Sequence, residues 1–383
     1  MDFQLNEEHT MIRQMAKDFC DTEIAPKASA LDEKAEFPTE NIKKMAEVGF
    51  MGMMCPQEFG GSGLDMLSYV LVLEEISAAC ASTAVTMSVN NSLYIGPILK
   101  FGTEEQKKKH IPDFAQGKKL GAYALSEPVS GSDAAALITT ATVKGDKYIL
   151  NGTKNFITNG PHADAMILFA TLDKSKRHKG ITAFLVEKNF KGYSVGKVEK
   201  KLGIRGSSTS SIILGDCEVP AANRLGQDGE GFRIAMNTLD SGRVGIATQA
   251  LGIGRAAYDF ARKYATEREA FGQTISHFQL IQQKLADMAV SLDAARLLIW
   301  RAAWLRDKGL PFTKEAAMAK LFASEAATSV TKDAVQVLGG YGYMREYPVE
   351  RHFRDAKITE IYEGTSEIQR LVIAREVLRE ISS

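Results

Sequence analysis

Two short segments of this chain combine residue types that can do chemistry. Residues 125–133, Leu-Ser-Glu-Pro-Val-Ser-Gly-Ser-Asp, offer hydroxyl groups and exposed backbone N–H groups that can hold a polar ligand. Glu363, in Tyr-Glu-Gly-Thr, offers a carboxylate, a group that enzymes use as a general base. Each pattern also has a plain structural explanation, because such loops often form capped turns and single glutamates are mostly solvated.

Several other kinds of site are not indicated. The chain has no P-loop and no GxGxxG between a strand and a helix, and the glycines at 339, 340 and 342 have the wrong spacing for either motif. The four cysteines form no CxxC pair and the six histidines show no HxxH spacing, so we predict no metal site. Basic and acidic residues number 47 each, which indicates no nucleic-acid surface, and no apolar run is long enough for a membrane span.

The elements that must position these segments change type twice along the chain. Apolar residues recur three and four apart up to about Gly117, and short β-rich runs separated by turn signals fill residues 121–220. The helical period returns after Gly231, with a long apolar stripe between Leu280 and Asp307 that is typical of a helical bundle. We therefore predict an α+β multidomain protein with an all-α domain over residues 1–120, an antiparallel sheet or barrel over 121–230, and a helical bundle over 231–383.

Further motifs occur in a fixed order along the chain. Ala-Leu-Ser-Glu-Pro at 124–128, Gly-Ser-Asp at 131–133 and Lys-Asn-Phe-Ile-Thr-Asn at 154–159 come first. Arg-Glu-Ala-Phe-Gly at 268–272, Gln-Val-Leu-Gly-Gly at 336–340, Arg-Asp-Ala-Lys at 354–357 and Ile-Tyr-Glu-Gly-Thr-Ser-Glu-Ile-Gln at 361–369 follow. Together they resemble the acyl-CoA dehydrogenase family, and most closely its short-chain, butyryl-CoA members, from residue 3 to about 378. The resemblance implies an N-terminal helical domain, a middle antiparallel β domain that is barrel-like, and a C-terminal four-helix bundle.

The resemblance implies an FAD cofactor. The residues expected to line the flavin are Tyr123, Ala124, Leu125, Ser126 and Ser132, with Ser126 near N5 and Ser132 also reaching the CoA part of the substrate. On the opposite side of the ring it implies Phe156, Ile157 and Thr158, where Phe156 replaces the tryptophan of many members. At the ADP half, partly from a neighbouring subunit, it implies Arg268, Phe271, Gln279, Gln336, Val337, Leu338, Gly339 and Gly340, and Thr365 and Glu367 would complete the site.

The resemblance also implies the reaction, which is α,β-dehydrogenation of a short-chain acyl-CoA to a trans-2-enoyl-CoA. Glu363 would take the α-proton while hydride passes from C3 to flavin N5, and an electron-transferring flavoprotein would reoxidise the flavin. Burial beside the acyl chain and the flavin should raise the pKa of Glu363 from its usual value of about 4.3. The other expected substrate contacts are Asp240, Arg243, Tyr362 and Gly364.

Two positions bear on the substrate class. Some branched-chain and long-chain members of the family place the base just before the arginine that corresponds to Arg243, but here that position is Gly242, so Glu363 has no competitor. Glutaryl-CoA members carry an arginine in the acyl pocket, whereas residues 83–92 contain no basic residue. The alternatives are a medium-chain or branched-chain dehydrogenase, an oxidase-like relative and a non-catalytic acyl-CoA-binding relative. Chain length and reaction direction stay open.

The resemblance further implies a homotetramer, a dimer of dimers in which subunits share the FAD site. The N-terminus shows neither a signal-peptide nor a transit-peptide pattern. We therefore predict a cytoplasmic location, or the mitochondrial matrix for a processed organellar form.

Overall fold

The structure, a computed structural model, describes residues 4–382. Its N-terminal part is helical. The helices are α1 Glu7–Phe19, α2 Ala28–Lys34, α3 Thr39–Glu47, α4 Met66–Ala79, α5 Ala81–Ser88, α6 Gly96–Phe101, α7 Glu104–His110 and α8 Pro112–Ala115. The side chain of Asp65 caps α4 by accepting the N–H of Ser68. A π-helical stretch, Val89–Ile95, continues α5 without a break.

The middle part is an eight-stranded sheet. The strands are β1 Gly121–Ala124, β2 Thr140–Lys144, β3 Lys147–Thr158, β4 Ala165–Thr171, β5 Ile181–Glu187, β6 Tyr193–Val198, β7 Thr209–Pro220 and β8 Arg224–Leu225. Their spatial order is β6-β7-β3-β2-β4-β5-β8, and β1 lies beside β4. Most pairings are antiparallel, but β1 and β2 both run parallel to β4. The sheet is therefore mixed. Strands β1 and β2 can run in the same direction because the long loop of residues 125–139 connects them.

The C-terminal part is again helical, as predicted. Its elements are α9 Gly231–Glu267, β9 Glu269–Ala270, β10 Gln273–Thr274, α10 Gln279–Asp307, α11 Thr313–Leu338, α12 Val349–Ala356 and α13 Ser366–Ser382. The stripe predicted on α10 is confirmed, since Met288, Leu292, Ala295 and Ile299 are buried. Among residues 4–382, no helix is both long and apolar enough to cross a membrane.

The hydrophobic cores explain where a site can form. One core runs through both helical parts and contains residues from α4, α5, α9, α10 and α11. A second core joins the helices to the sheet, where Tyr94, Phe114 and Ile234 pack with Phe169 and Leu185. The loop after β1, the end of β3 and the segment before α13 meet at this junction. The predicted order of helix, sheet and helix is confirmed, and the domain boundaries stay predictions.

Candidate active site

Two adjacent cavities lie where the helical core meets the sheet. The inner cavity, about 290 Å³, lies between α5 with its π-helical extension, the start of α9, β1 and residues 362–364. The outer cavity, about 660 Å³, lies between residues 126–132, residues 199–204 and the segment that precedes α13. Both are lined by Ser126, Gly131, Ser132, Phe156, Thr158, Tyr362, Glu363 and Gly364. The two cavities therefore form one binding region, and Glu363 lies at their shared boundary.

A left-handed turn just before α13 determines the direction of the Glu363 side chain. Glu363 has φ of 53° and Gly364 has φ of 93°. This conformation is uncommon for a residue other than glycine and persists only where the surroundings hold it. Gln369 does so, because its side-chain amide donates to the carbonyl oxygens of Glu363 at 3.2 Å and Gly364 at 2.9 Å. The strained turn thus holds the carboxylate towards the cavity.

Gly242, on α9, leaves the space that the carboxylate of Glu363 occupies. A Cβ added at Gly242 would lie 2.0 Å from Oε2 of Glu363 and 3.0 Å from Cδ2 of Leu93. Position 242 therefore faces the same point in the cavity as Glu363, and it is the position at which the resemblance places the base of some branched-chain and long-chain members of the family. The same Oε2 atom is buried and has no hydrogen-bond partner among the described residues. An unpaired buried oxygen is costly, so its presence here points to a ligand atom that it meets.

The electrostatics of the site suit proton transfer near neutral pH. Burial raises the pKa of Glu363 from 4.5 to about 7, and the positive charges of Lys320 and Arg243 limit this rise. Burial likewise lowers the pKa of Lys320 from 10.5 to about 8. A carboxylate with a pKa near the working pH is a better general base than a solvated one.

A buried ion pair fixes the loop that lines both cavities. Glu127 Oε1 lies 2.8 Å from Lys154 Nζ, and both side chains are fully buried. The carboxylate of Glu127 also accepts the backbone N–H groups of Ile138 at 2.6 Å and Thr139 at 3.0 Å. Burial by itself would raise the pKa of Glu127, but Lys154 and these donors bring it below its usual value. The pair therefore ties the 125–133 loop to β3.

Strand β3 presents an aromatic ring to both cavities. Phe156 lies where the pairing of β3 with β7 is irregular, has φ of 58° and stays 64% exposed. The hydroxyl residues Ser126 and Thr158 line the same space, and a Cβ built at Gly131 would meet no atom within 4 Å. An exposed ring beside hydroxyl groups and open backbone fits a flat, polar ligand such as an isoalloxazine.

The structure brings most of the residues predicted at the flavin together. Those that line at least one of the two cavities are Tyr123, Leu125, Ser126, Ser132, Phe156, Ile157, Thr158 and Thr365. Ala124 is fully buried on β1, and Glu367 is exposed on α13 outside both linings. The individual roles of all these residues stay predictions.

The residues predicted at the ADP half occupy a different place, a groove of about 550 Å³ on the C-terminal bundle. Arg268 lines this groove together with Val337, Leu338, Gly339 and Gly340. The Arg268 guanidinium lies 5.6 Å from the centre of the Tyr341 ring, in cation–π range. No lining residue is shared with the inner or outer cavity, and the exposed Phe271, Gln279 and Gln336 lie outside the groove lining. Within one chain, the two halves of the predicted cofactor site therefore form separate pockets.

The residues predicted to contact substrate are only partly at the cavity surface. Ser132, Arg243, Tyr362 and Gly364 line the inner cavity, whereas Asp240 does not. Asp240 accepts hydrogen bonds from Arg243 Nη1 and from Thr313 Oγ1, both at 2.7 Å. Asp240 therefore orients Arg243, and its direct contact with a substrate stays a prediction.

Lys320 is a site residue that the sequence did not reveal. It lies on α11, is fully buried, and donates from Nζ to the carbonyl oxygen of Gly364 at 2.7 Å. A signal was present, because Lys320 occupies a core position of its helix, four residues after the buried Ala316 and three before the buried Ala323. A lysine at such a position is seldom buried without a specific partner.

Comparison with known proteins assigns the chain throughout its length. Three family profiles match in succession: Acyl-CoA dehydrogenase, N-terminal domain, at residues 6–118, the middle domain at 122–217, and the C-terminal domain at 229–378. The chain is 57% identical over 380 residues to the mitochondrial short-chain specific acyl-CoA dehydrogenase of Mus musculus, which covers 99% of this chain and 92% of that protein. These matches confirm the resemblance stated above.

Solved structures agree with this assignment. Butyryl-CoA dehydrogenase from Megasphaera elsdenii superposes with a TM-score of 0.97 at 46% identity, and 99% of this chain and 100% of that chain are covered. A second chain comes from a structure described as "Electron transferring flavoprotein of Acidaminococcus fermentans: Towards a mechanism of flavin-based electron bifurcation". It superposes with a TM-score of 0.98 at 51% identity over 99% of this chain and 100% of that chain.

Proposed function

Because the chain belongs to the acyl-CoA dehydrogenase family, we propose that it oxidises short acyl-CoA thioesters of the butyryl-CoA class to trans-2-enoyl-CoA thioesters. FAD is the proposed cofactor and Glu363 the proposed base. The observation that carries the proposal is the buried, unpartnered Oε2 of Glu363, which lies opposite the side-chain-free position Gly242.

The chemistry divides between the chain and its cofactor. FAD, when bound, supplies the two-electron acceptor for the hydrogen that leaves C3 of the acyl group. Glu363 takes the proton from C2, which leaves the electron pair that forms the new double bond. The left-handed turn holds the carboxylate for this step, and the apolar residues Val85, Val89 and Leu93 line the inner cavity and favour the neutral acyl chain.

The residues proposed to hold the flavin are those that line the two cavities around Phe156. Its exposed ring offers a stacking surface, and the hydroxyl groups of Ser126, Ser132 and Thr158 offer hydrogen bonds to a polar heterocycle. The Glu127–Lys154 pair holds Ser126 and Ser132 in position, because it fixes the loop on which both residues lie.

A small acyl group is favoured by the size and charge of the inner cavity. Its volume of about 290 Å³ lies just below the roughly 300–1,000 Å³ found for ligand pockets. Among the described residues, the only basic one in its lining is Arg243, which already pairs with Asp240. Within residues 4–382, the inner cavity therefore offers no free cation to a dicarboxylic acyl group.

The partners follow from the same proposal. Arg268 and residues 337–340 form a groove that shares no lining residue with the flavin cavities, and this separation supports a cofactor site completed by a second subunit. We propose the homotetramer that the family resemblance implies, with the FAD site shared between subunits. The match to a chain in an electron-transferring flavoprotein structure supports such a flavoprotein as the electron acceptor. The location, cytoplasm or mitochondrial matrix, stays a prediction.

Anaerobic reduction of the bound flavin by a series of saturated acyl-CoAs from C4 to C16 tests this function. We expect the yellow flavin absorbance to bleach fastest with butyryl-CoA, because each methylene beyond the pocket costs binding free energy. A maximum at C8 or above would contradict the short-chain assignment. A colourless protein that binds no flavin would contradict the enzyme assignment altogether.

Admitting air to the reduced enzyme separates a dehydrogenase from an oxidase. We expect slow reoxidation by oxygen and fast reoxidation by an electron-transferring flavoprotein. Rapid reoxidation by oxygen with formation of peroxide would instead establish an oxidase.

A further inference from the structure

Lys320 is buried beside the proposed base without pairing with a carboxylate. Its ammonium group donates to the carbonyl oxygen of Gly364 at 2.7 Å, whereas the other fully buried lysine at the site, Lys154, contacts Glu127 directly. A buried cation is expensive unless it is hydrogen-bonded and compensated by charge. Because Lys320 has no direct carboxylate partner among the described residues, its placement needs an explanation beyond a simple ion pair.

The bond from Lys320 stabilises the turn that directs the base. Gly364 is the second of two consecutive left-handed residues, and its carbonyl oxygen accepts from both Lys320 Nζ and Gln369 Nε2. A Cβ at Gly364 would lie 2.6 Å from Gln369 Nε2, so the turn is packed closely against α13. Helices α11 and α13 thus hold the same peptide from two sides.

Lys320 is also the stronger of the two positive charges that act on Glu363. Burial raises the pKa of Glu363, and Lys320 opposes this rise more than Arg243 does. Arg243 is already paired, because its guanidinium donates to Asp240 at 2.7 Å. The other titratable groups that interact with Glu363 or Lys320 are Tyr69 on α4, Tyr123 on β1, Glu360 and Tyr362 in the segment before α13, and Glu367 on α13.

We propose that Lys320 is a positioning residue for proton abstraction, which fixes the Glu363–Gly364 turn through the Gly364 carbonyl and places a positive charge beside the Glu363 carboxylate. This inference rests on the proposed function. Lys320 does not touch the substrate and does not exchange the α-proton. It sets the direction of the carboxylate and the pH range in which it accepts a proton.

The test compares three variants. Lys320→Met removes the charge and the donor, Lys320→Gln removes the charge and keeps a shorter N–H donor, and Lys320→Arg retains the charge. The acidic limb of the pH profile of kcat/KM reports the ionisation of the base in the free enzyme. We expect this limb to move up by about one pH unit in Lys320→Met and Lys320→Gln and to stay in place in Lys320→Arg. Lys332→Met, an exposed position on the same helix, is the matched control and should leave the limb unchanged.

An infrared titration provides a second readout that is independent of turnover. The carboxylic-acid band of Glu363, identified by its loss in Glu363→Gln, should titrate at higher pH in the two neutral Lys320 variants. The proposal would be overturned if folded, flavin-containing Lys320→Met showed the wild-type infrared titration of Glu363 and the wild-type acidic limb of kcat/KM. Failure of both neutral variants to fold while Lys320→Arg folds would also overturn it, because Lys320 would then serve folding alone. A wild-type limb that does not follow the infrared titration would instead refute Glu363 as the base.

Discussion

Two glutamate–lysine neighbourhoods of this protein contain the same groups and behave in opposite ways. At the first, Glu127 contacts Lys154 at 2.8 Å, accepts two backbone N–H groups, and has a lowered pKa. At the second, the lysine bonds to the carbonyl oxygen of Gly364, and Glu363 keeps a buried oxygen without a partner and a pKa of about 7. Burial lowers the pKa of both lysines to about 8.

Direct contact with a lysine and with backbone N–H donors therefore distinguishes the structural carboxylate, Glu127, from the reactive one, Glu363. Burial favours the neutral form of both glutamates, and direct contacts reverse this effect only at Glu127. At Glu363 the nearby cation acts at a distance, so the carboxylate remains free for a proton. The unpaired oxygen costs stability and serves the reaction, as is common at functional sites.

The largest expected effect comes from removing the reactive carboxylate. Glu363→Gln keeps the shape of the side chain but cannot accept a proton, so turnover with butyryl-CoA should fall by about 10³- to 10⁴-fold. The bound flavin and the melting temperature should be retained. Stopped-flow anaerobic reduction measures the loss, and turnover within about threefold of wild type would contradict the reactive role.

Breaking the structural pair should reduce stability instead. Lys154→Met leaves the Glu127 carboxylate buried and uncompensated, which costs about 3–5 kcal/mol of unfolding free energy. The double variant Glu127→Gln/Lys154→Met should recover part of this loss, because no buried charge remains. Thermal or urea unfolding measures the effect, with Lys17→Met in the exposed Lys17–Asp21 pair as a control of little cost. If Lys154→Met were as stable as the wild type, the Glu127–Lys154 pair would not have the structural role that distinguishes it from the Glu363 site.

A smaller effect is expected from displacing the carboxylate without removing it. In Gly242→Ala the added methyl group would overlap Oε2 of Glu363, and the flexible end of that side chain can move aside. Turnover should fall by about 10²-fold, because misplacing a reacting group by about 1 Å has that effect. The melting temperature should change little, because the higher helix propensity of alanine offsets the crowding of the methyl group against Leu93. Gly254→Ala on the same helix, remote from Glu363, is the control, and equal turnover losses in both variants would contradict this explanation.

Much of this arrangement could be predicted from the sequence. The features that could not be predicted all depend on contacts between residues far apart in the chain. Helix and strand periods are local, so the order of elements and the stripe on α10 could be predicted. The family motifs located Glu363 and the two loops around it. The contact of Glu127 with Lys154 spans 27 positions and depends on how the 125–133 loop folds onto β3. The role of Lys320 depends on which face of α11 meets the Gly364 turn, which only tertiary packing decides.

The smallest expected effect is a pH dependence of stability with opposite signs at the two glutamates. The folded-state pKa of Glu363 is raised, so the wild type loses stability through ionisation of this group as the pH rises from 4.5 through about 7. In the flavin-free protein, Glu363→Gln should therefore gain about 1–3 kcal/mol relative to wild type between pH 5 and pH 8. The pKa of Glu127 is lowered, so its ionised form stabilises the fold above the unfolded-state pKa. This stabilisation is lost as the pH falls through the folded-state pKa.

Urea unfolding at several pH values measures both changes. The stability deficit of Glu127→Gln should be largest at neutral pH and should shrink in acid. The same pH dependence in both variants would mean that the two carboxylates do not differ in the way described.

The most direct test of Glu363 as a base with a raised pKa is the pH dependence of kcat/KM for butyryl-CoA. The protonated carboxyl group cannot accept the α-proton, so kcat/KM should rise with pH and level off above a limb near pH 7. The limb should coincide with the infrared titration of the Glu363 carboxyl group. A profile that is flat from pH 5 to pH 9, or a limb at about 4.3, the value of a solvated glutamate, would contradict the assignment.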